Sequence, residues 1–129
     1  NEESAMSAYV KRRFAPPTDI IEHPDRLVIV SEIAGMQPDD FQITLTKHRL
    51  VISGRRRSPL DTLLTAQLQP RQIEIGYGEF RIEVLLPWSA DGDQVTATYR
   101  DGFLQVELPR HPDRTIPVVD SSTRKEVKD

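Results

Sequence analysis

The sequence predicts an all-β protein, an antiparallel immunoglobulin-like β-sandwich with a flexible N-terminal arm and a flexible C-terminal tail. Several runs of residues alternate between apolar and polar side chains, which is typical of strands with one buried face. Turn-forming residues interrupt the chain at short intervals, and we find no convincing long helical period. Antiparallel strands with this spacing pack as two sheets around one core.

The clearest predicted element is a hairpin built around Asp101-Gly102. Asp-Gly favours a two-residue turn with positive φ at both positions, and this turn fixes the pairing of the flanking strands. The predicted pairs are Arg100 with Phe103, Tyr99 with Leu104, Ala97 with Val106 and Val95 with Leu108. The last three pairs are apolar and share one face, so a slip of one residue would turn them away from the core.

Composition places the chain among ordinary globular proteins. It has 129 residues, of which 37% are hydrophobic and 29% charged, with a net charge of −3 and no cysteine. This balance gives no reason to expect nucleic acid as the main partner, and no apolar run is long enough for a membrane span. We therefore expect a cytoplasmic protein that uses no disulfide, no membrane partner and no cofactor.

The chain divides into three parts. We assign residues 1–14 to an N-terminal arm, residues 15–110 to the sandwich domain and residues 111–129 to a C-terminal tail. Pro16 and Pro17 mark the first boundary, because two prolines remove two donors and favour extended backbone.

Six further segments are predicted to be strands. A tight turn at Pro38-Asp39-Asp40 is expected between the second and third of them, with one helical turn starting at Pro38 as one form that it can take. The first strand is expected at a sheet edge, and the second, which is apolar on both faces, at a central position. In chain order the strands are 18–22, 26–33, 41–46, 50–53, 72–75 and 79–86.

The segment 55–71 is the least regular part of the chain. It is bounded by Pro59 and Pro70 and carries four leucines, Leu60, Leu63, Leu64 and Leu68. Leucines in a long loop need a cover. The sequence leaves two alternatives open, a partner subunit or a short amphipathic helix that folds back on its own domain.

The residue patterns of enzymes are missing from the sequence. There is no G-x-S-x-G elbow, no Walker loop and no G-x-G-x-x-G. His23, His48 and His111 lie far apart in predicted turns, and their spacing matches no zinc signature. We therefore predict a protein that is not an enzyme, with no catalytic, cofactor-binding or metal-binding residues.

The tail carries one apolar motif, Ile116-Pro117-Val118. In an extended chain the first and third residues point the same way, and the proline between them restricts the backbone before any docking. Such a segment suits an apolar slot along a sheet edge. The alternatives are a tail that folds onto its own domain and a tail that stays free.

Several motifs, in order along the chain, resemble those of the small heat shock proteins, whose core is the α-crystallin domain. Ala97, Gly102 and Leu104 match their A-x-x-x-x-G-x-L signature, and Ile116-Pro117-Val118 matches their C-terminal I-x-I/V anchor. The resemblance also covers the opening PPTDIIEHPDRLVIVSEIAGM, the hairpin DDFQITLTKHRLVISG, the segment YGEF and Leu86-Pro87. It extends over nearly the whole chain.

This resemblance implies an ATP-independent holdase chaperone that binds unfolded or partly folded clients and forms a homodimer or a larger homo-oligomer. It implies an anchor-accepting groove between strands 41–46 and 79–86, which we expect to be lined by Ile43, Leu45, Val84 and Leu86. It also implies that the leucine-bearing loop supplies a strand to the partner subunit. The alternative is a p23-like co-chaperone or adaptor module that serves one specific protein partner.

Overall fold

The structure is a computed structural model in which residues 14–63, 67–112 and 115–122 are described. In the described part of the chain, seven strands are accompanied by one α-helical turn and by the 3-10 turns Pro38–Asp40 and Gly92–Gln94. The strands and the α-helical turn are labelled in chain order. They are β1 (Thr18–Glu22), β2 (Arg26–Glu32), β3 (Phe41–Thr46), β4 (Arg49–Arg56), α1 (Leu60–Leu63), β5 (Gly78–Leu85), β6 (Thr96–Arg100) and β7 (Phe103–Pro109).

The strands form two antiparallel sheets, which confirms the predicted fold class. One sheet has four strands in the order β1-β2-β7-β6, and the other has three in the order β3-β4-β5. As expected, β1 lies at a sheet edge and β2 at a central position. The sandwich therefore has four edge strands, β1 and β6 in one sheet and β3 and β5 in the other.

The core lies between the sheets and consists of the inward-facing residue of each alternating pair. Leu50 and Ile52 of β4 are fully buried against the other sheet, as are Ile29 of β2 and Val106 of β7. Burial of such side chains is the main favourable contribution to folding. The buried apolar residues are Leu27, Ile29, Ile33, Met36, Leu50, Ile52, Phe80, Val84, Leu86, Leu104, Val106 and Leu108.

The Asp101-Gly102 turn and three of its four predicted residue pairs are confirmed. Asp101 has φ 53° and Gly102 has φ 84°, as a turn of this type requires. The pairs of Arg100, Tyr99 and Ala97 with their predicted partners are present. The predicted pair of Val95 with Leu108 is not, because the ladder ends at Thr96 and the amide of Val95 donates to the carbonyl of Gly92 at 3.3 Å.

Two other expectations have different outcomes. The tight turn at Pro38 is confirmed, and it takes the helical form, as the 3-10 turn Pro38–Asp40. A side-chain oxygen of Asp40 accepts from the amide of Gln37 at 2.8 Å. The predicted strand 72–75 is wrong, since these residues belong to no sheet and Ile75 is exposed. Alternation identifies a segment that could be a strand, but a strand also needs a neighbour to pair with.

Phe14 is the last residue that the sequence assigns to the N-terminal arm. Phe14 packs on the core, with its ring 5.6 Å from that of Phe80 in an edge-to-face contact. Residues 1–13 of the predicted arm lie outside the described residues. Among the described residues, no helix is long and apolar enough to cross a membrane.

Candidate functional site: an exposed tail motif and an open sheet edge

The tail motif is exposed to solvent in the single chain. Ile116 is 82% exposed and Val118 is 98% exposed, while Val119, which follows them, is also exposed. Two large aliphatic side chains without cover, close together in sequence, favour a contact with another surface. The motif is thus available for docking in this conformation.

A short capped turn follows the motif. A carboxylate oxygen of Asp120 accepts hydrogen bonds from the amide and the hydroxyl of Ser122, each at 3.0 Å. These hydrogen bonds hold the pKa of Asp120 below its ordinary value of 3.8, the one from the backbone amide being the larger cause and the one from the hydroxyl the smaller. The cap therefore fixes a turn directly after Val119.

The fold does not place strands 41–46 and 79–86 next to each other, as the expected groove between them would require. These strands are β3 and β5, and β4 lies between them in the sheet. Two strand spacings separate them by about 10 Å. Leu45 and Val84 do share the inner face, but Leu50 pairs with both of them and fills the space between.

The residues expected to line that groove have different surroundings. Val84 and Leu86 are buried in the core of their own domain, whereas Ile43 and Leu45 on the edge strand β3 are half-buried. The interior is already close-packed at the first two. Only the β3 half of the expected lining is therefore accessible to a docking segment.

The structure places β6 opposite β3, at the same side of the sandwich. Phe41 of β3 and Tyr99 of β6 have ring centroids 5.1 Å apart. At the other end of β3, Leu45 Cδ2 lies 3.7 Å from the position that a Cβ on Gly92 would occupy. Two edge strands of different sheets thus run along one opening.

Ala97 shows that this opening is accessible. It pairs with the fully buried Val106 and so lies on the inward face of β6, yet it is exposed. Val95, just before β6, is half-buried against the core. We call the opening the edge groove and define it by Ile43, Leu45, Val95 and Ala97.

Sequence reasoning placed Ala97 in the signature hairpin and missed its position in the edge groove. The available signal was a small side chain at an inward-facing position, beside larger ones at Tyr99 and Val95. The remaining signature residues position β6. Leu104, on the neighbouring strand β7, is buried and pairs with Tyr99 of β6. The carbonyl of Gly102 accepts from the amide of Ile33 at 2.7 Å.

In the structure the connection between β4 and β5 spans residues 57–77, and from here on the leucine-bearing loop means this whole connection. A helical turn, α1, lies near its start. The Ser58 hydroxyl accepts from the amide of Leu60 at 3.0 Å, which satisfies a free donor at the start of α1. Leu63 is exposed, while Leu60 and Leu68 are half-buried. Leu64, which was assigned to the same surface, lies outside the described residues.

The edge opposite the edge groove also exposes apolar side chains. Ile20 and Ile21 of β1 are each about half exposed, and β1 pairs on one side only. An edge strand with unpaired backbone groups and apolar side chains is a template for pairing with another strand. Within the described residues, no group of three or more His, Cys, Asp or Glu side chains is placed to hold a metal ion.

Comparison with known proteins identifies the family. Residues 19–125 match the Hsp20/alpha crystallin family. The chain is 31% identical over 113 residues to a 17.7 kDa class II heat shock protein of Arabidopsis thaliana, which covers 87% of this chain and 71% of that protein.

Two solved structures resemble the sandwich. That of hspA from Xanthomonas axonopodis has a TM-score of 0.69 and 31% identity, covering 80% of this chain and 100% of the other. That of a small heat-shock protein from Xylella fastidiosa has a TM-score of 0.71 and 28% identity, covering 84% and 97%. Since the matched span includes all seven strands except the first residue of β1, and also the tail motif, the chain belongs to the Hsp20/alpha crystallin family, the small heat shock proteins.

Proposed function

We propose that this protein is an ATP-independent holdase that acts in the cytoplasm and keeps partly unfolded clients from aggregating. The small heat shock proteins are chaperones rather than enzymes. A holdase needs apolar surface that is accessible to a client and that can be covered when no client is present. The exposed tail motif and the edge groove provide complementary apolar surfaces of this kind.

The observation that carries the proposal is the exposure of Ile116 and Val118 in a chain whose edge groove is open. The two side chains would enter the edge groove of a neighbouring subunit, beside Ile43, Leu45 and Ala97. Burying both contributes at most about 3–6 kcal/mol before ordering costs. Each contact is therefore weak and reversible, and repetition across an assembly makes it effective.

We also propose that the loop after β4 reaches a partner subunit and that the resulting homodimer is the building block. The acceptor would be β1, whose edge is unpaired and whose Ile20 and Ile21 are exposed. Leu63 and Ile75, near the two ends of the loop, are exposed as well. Pairing of the loop of one copy with the β1 edge of the other would cover apolar side chains on both copies.

Holdase activity is tested by heating an aggregation-prone enzyme with and without this protein, with no ATP present. At an equal number of subunits we expect light scattering to be suppressed, and added ATP to change nothing. Bovine serum albumin at the same mass controls for nonspecific protein. Scattering equal to that control would contradict the holdase proposal.

The assembly is tested separately by light-scattering mass measurement across concentration. We expect a dimer at the lowest concentrations and larger species as concentration rises, because tail contacts are weak and numerous. A monomer at every concentration would instead favour a co-chaperone or adaptor that serves one specific partner.

A further inference from the structure

Arg56, the last residue of β4, contacts three other segments of the chain. Its Nε donates to the carbonyl oxygen of Gly76 at 3.1 Å, and its Nη2 donates to the same oxygen. Its Nη1 donates to the carbonyl oxygen of Ala34 at 3.3 Å. The guanidinium therefore holds the end of the leucine-bearing loop against the connection between β2 and β3.

The same guanidinium also lies against two aromatic rings. Its central carbon is 4.6 Å from the centroid of Phe14 and 5.2 Å from the centroid of Tyr77. Both distances fall within the range of cation–π attraction. Phe14 is the last residue of the predicted arm and the first that the structure describes, and Tyr77 follows directly on Gly76. The Arg56 side chain therefore contacts the end of the arm and the end of the leucine-bearing loop.

Phe14, at the end of the arm, and Gly76, at the end of the loop, also pack directly against each other. A Cβ on Gly76 would lie 2.6 Å from the Cβ of Phe14, closer than real side chains approach. Glycine is therefore required at position 76, where the end of the loop passes Phe14. Because the contact leaves no slack, a displacement of Phe14 changes the surroundings of the Gly76 carbonyl that Arg56 binds.

We propose that Arg56 couples the N-terminal arm to the leucine-bearing loop, so that withdrawal of Phe14 loosens the loop at Tyr77. A planar guanidinium can donate to a carbonyl in its plane and stack on rings with its faces at the same time. When the Phe14 ring withdraws, the guanidinium plane of Arg56 loses one of the two rings that hold its orientation. The hydrogen bonds from Arg56 to the loop weaken as a result.

The consequence for assembly rests on the proposed strand exchange. If the arm moves when it engages a client or a neighbouring subunit, the loop is held less tightly to its own sandwich. The dimer weakens as a result. Binding of the arm to a client or a neighbouring subunit would then regulate subunit exchange, without any contact between the arm and the partner's loop. Arg56 is a positioning residue in this scheme, since it acts through the loop.

Limited chymotrypsin digestion with mass spectrometry tests the coupling, because the enzyme cleaves after both Phe14 and Tyr77. We expect Arg56→Lys to raise cleavage at both sites about tenfold, since a lysine ammonium cannot stack and form the paired hydrogen bonds. Arg57→Lys, at the exposed next position, is the matched control and should change neither rate. Cleavage after the buried Phe80 reports global unfolding and should stay unchanged.

A double-mutant cycle separates coupling from simple packing. Phe14→Leu keeps an apolar side chain but removes the ring, and we expect it to raise cleavage after Tyr77 about threefold. In the Arg56→Lys background the same change should have no further effect. Additive effects of the two substitutions, or an unchanged rate after Tyr77 in Phe14→Leu, would overturn the coupling.

These digests can be read on a monomer as well as a dimer, so they do not depend on strand exchange. The dimer dissociation constant of Phe14→Leu, measured by sedimentation, tests the assembly step and should rise about threefold. If the digests show coupling while the wild-type chain is a monomer, strand exchange fails and the coupling stands. If the wild-type chain dimerises and the digests show no coupling, only the coupling is rejected.

Discussion

Phe41 and Tyr99 contact each other across the two sheets, with their ring planes inclined by 52°. Phe41 begins β3 and Tyr99 lies near the end of β6, so the contact closes one end of the edge groove. The Tyr99 hydroxyl donates to the carbonyl of Ile33 at 2.7 Å and accepts from the amide of Met36 at 3.3 Å. The same residue thus fixes β6 to the connection that follows β2.

Replacing Tyr99 with phenylalanine keeps the ring contact and removes both hydrogen bonds. We expect Tyr99→Phe to lower the free energy of unfolding by about 1–3 kcal/mol, because two partly buried backbone groups lose their partner. Urea denaturation measures this loss, and the slope of the transition should not change. An unchanged midpoint would mean that water replaces the hydroxyl at no cost.

A charge at Ala97 should block the edge groove without unfolding the protein. Ala97 faces inward but is exposed, so Ala97→Glu can place its carboxylate in solvent while obstructing an apolar segment. We expect light scattering to report dimers in place of larger oligomers. Thr98→Glu, one residue later on the outer face of β6, is the matched control and should assemble normally.

Truncation of the tail motif should have the same effect from the other side of the contact. With both Ile116 and Val118 changed to alanine, the contact loses most of its apolar surface, and we expect assembly to stop at the dimer. Val119→Ala removes an exposed aliphatic side chain that points the opposite way in an extended segment. An oligomer of wild-type mass in the double variant would rule out this motif as the anchor.

Gly54 is expected to tolerate no larger residue without loss of stability. A Cβ there would lie 2.7 Å from the backbone oxygen of Asp40 and 2.8 Å from the Phe80 ring. Gly54→Ala should therefore destabilise the fold by about 1–3 kcal/mol, because backbone and a core ring must both shift. Thermal unfolding measures it. In Gly92→Ala the new Cβ meets only ordinary contact with Leu45, and a similar loss there would refute the steric explanation.

The hairpin was predictable because two independent signals agree at Asp101-Gly102. Turn chemistry and side-chain alternation specify the same register, and both depend on residues close together in sequence. The edge groove was not predictable in the same way. Alternation assigns Leu45 and Val84 to one face but does not give the order of strands in a sheet, and here β4 lies between them.

The role of Arg56 could not be read from the sequence at all. In the run Arg55-Arg56-Arg57 nothing distinguishes the middle residue by composition. Its partners Gly76 and Ala34 are 20 and 22 residues away, and only the folded sheets bring them together. The segment 72–75 failed for a related reason, since its alternation resembles a strand while its pairing partner is a matter of tertiary structure.

The cap that ends the tail motif makes a prediction about pH. Hydrogen bonds from the amide and, to a smaller extent, the hydroxyl of Ser122 favour ionised Asp120 and lower its pKa below 3.8. A lowered pKa means that the cap stabilises the turn above the unfolded pKa of about 3.9 and is lost as pH falls through the folded pKa. The turn after the tail motif should therefore persist between about pH 5 and pH 8.

Carboxyl carbon chemical shifts, followed by NMR during acid titration, measure this pKa directly. We expect Asp120 to titrate below 3.8 in the wild-type chain. Ser122→Ala removes the hydroxyl donor and keeps the amide, so the pKa should rise only part of the way back. A wild-type value at or above 3.8 would show that the carboxylate is not held by Ser122, and the turn would then give no fixed end to the docking segment.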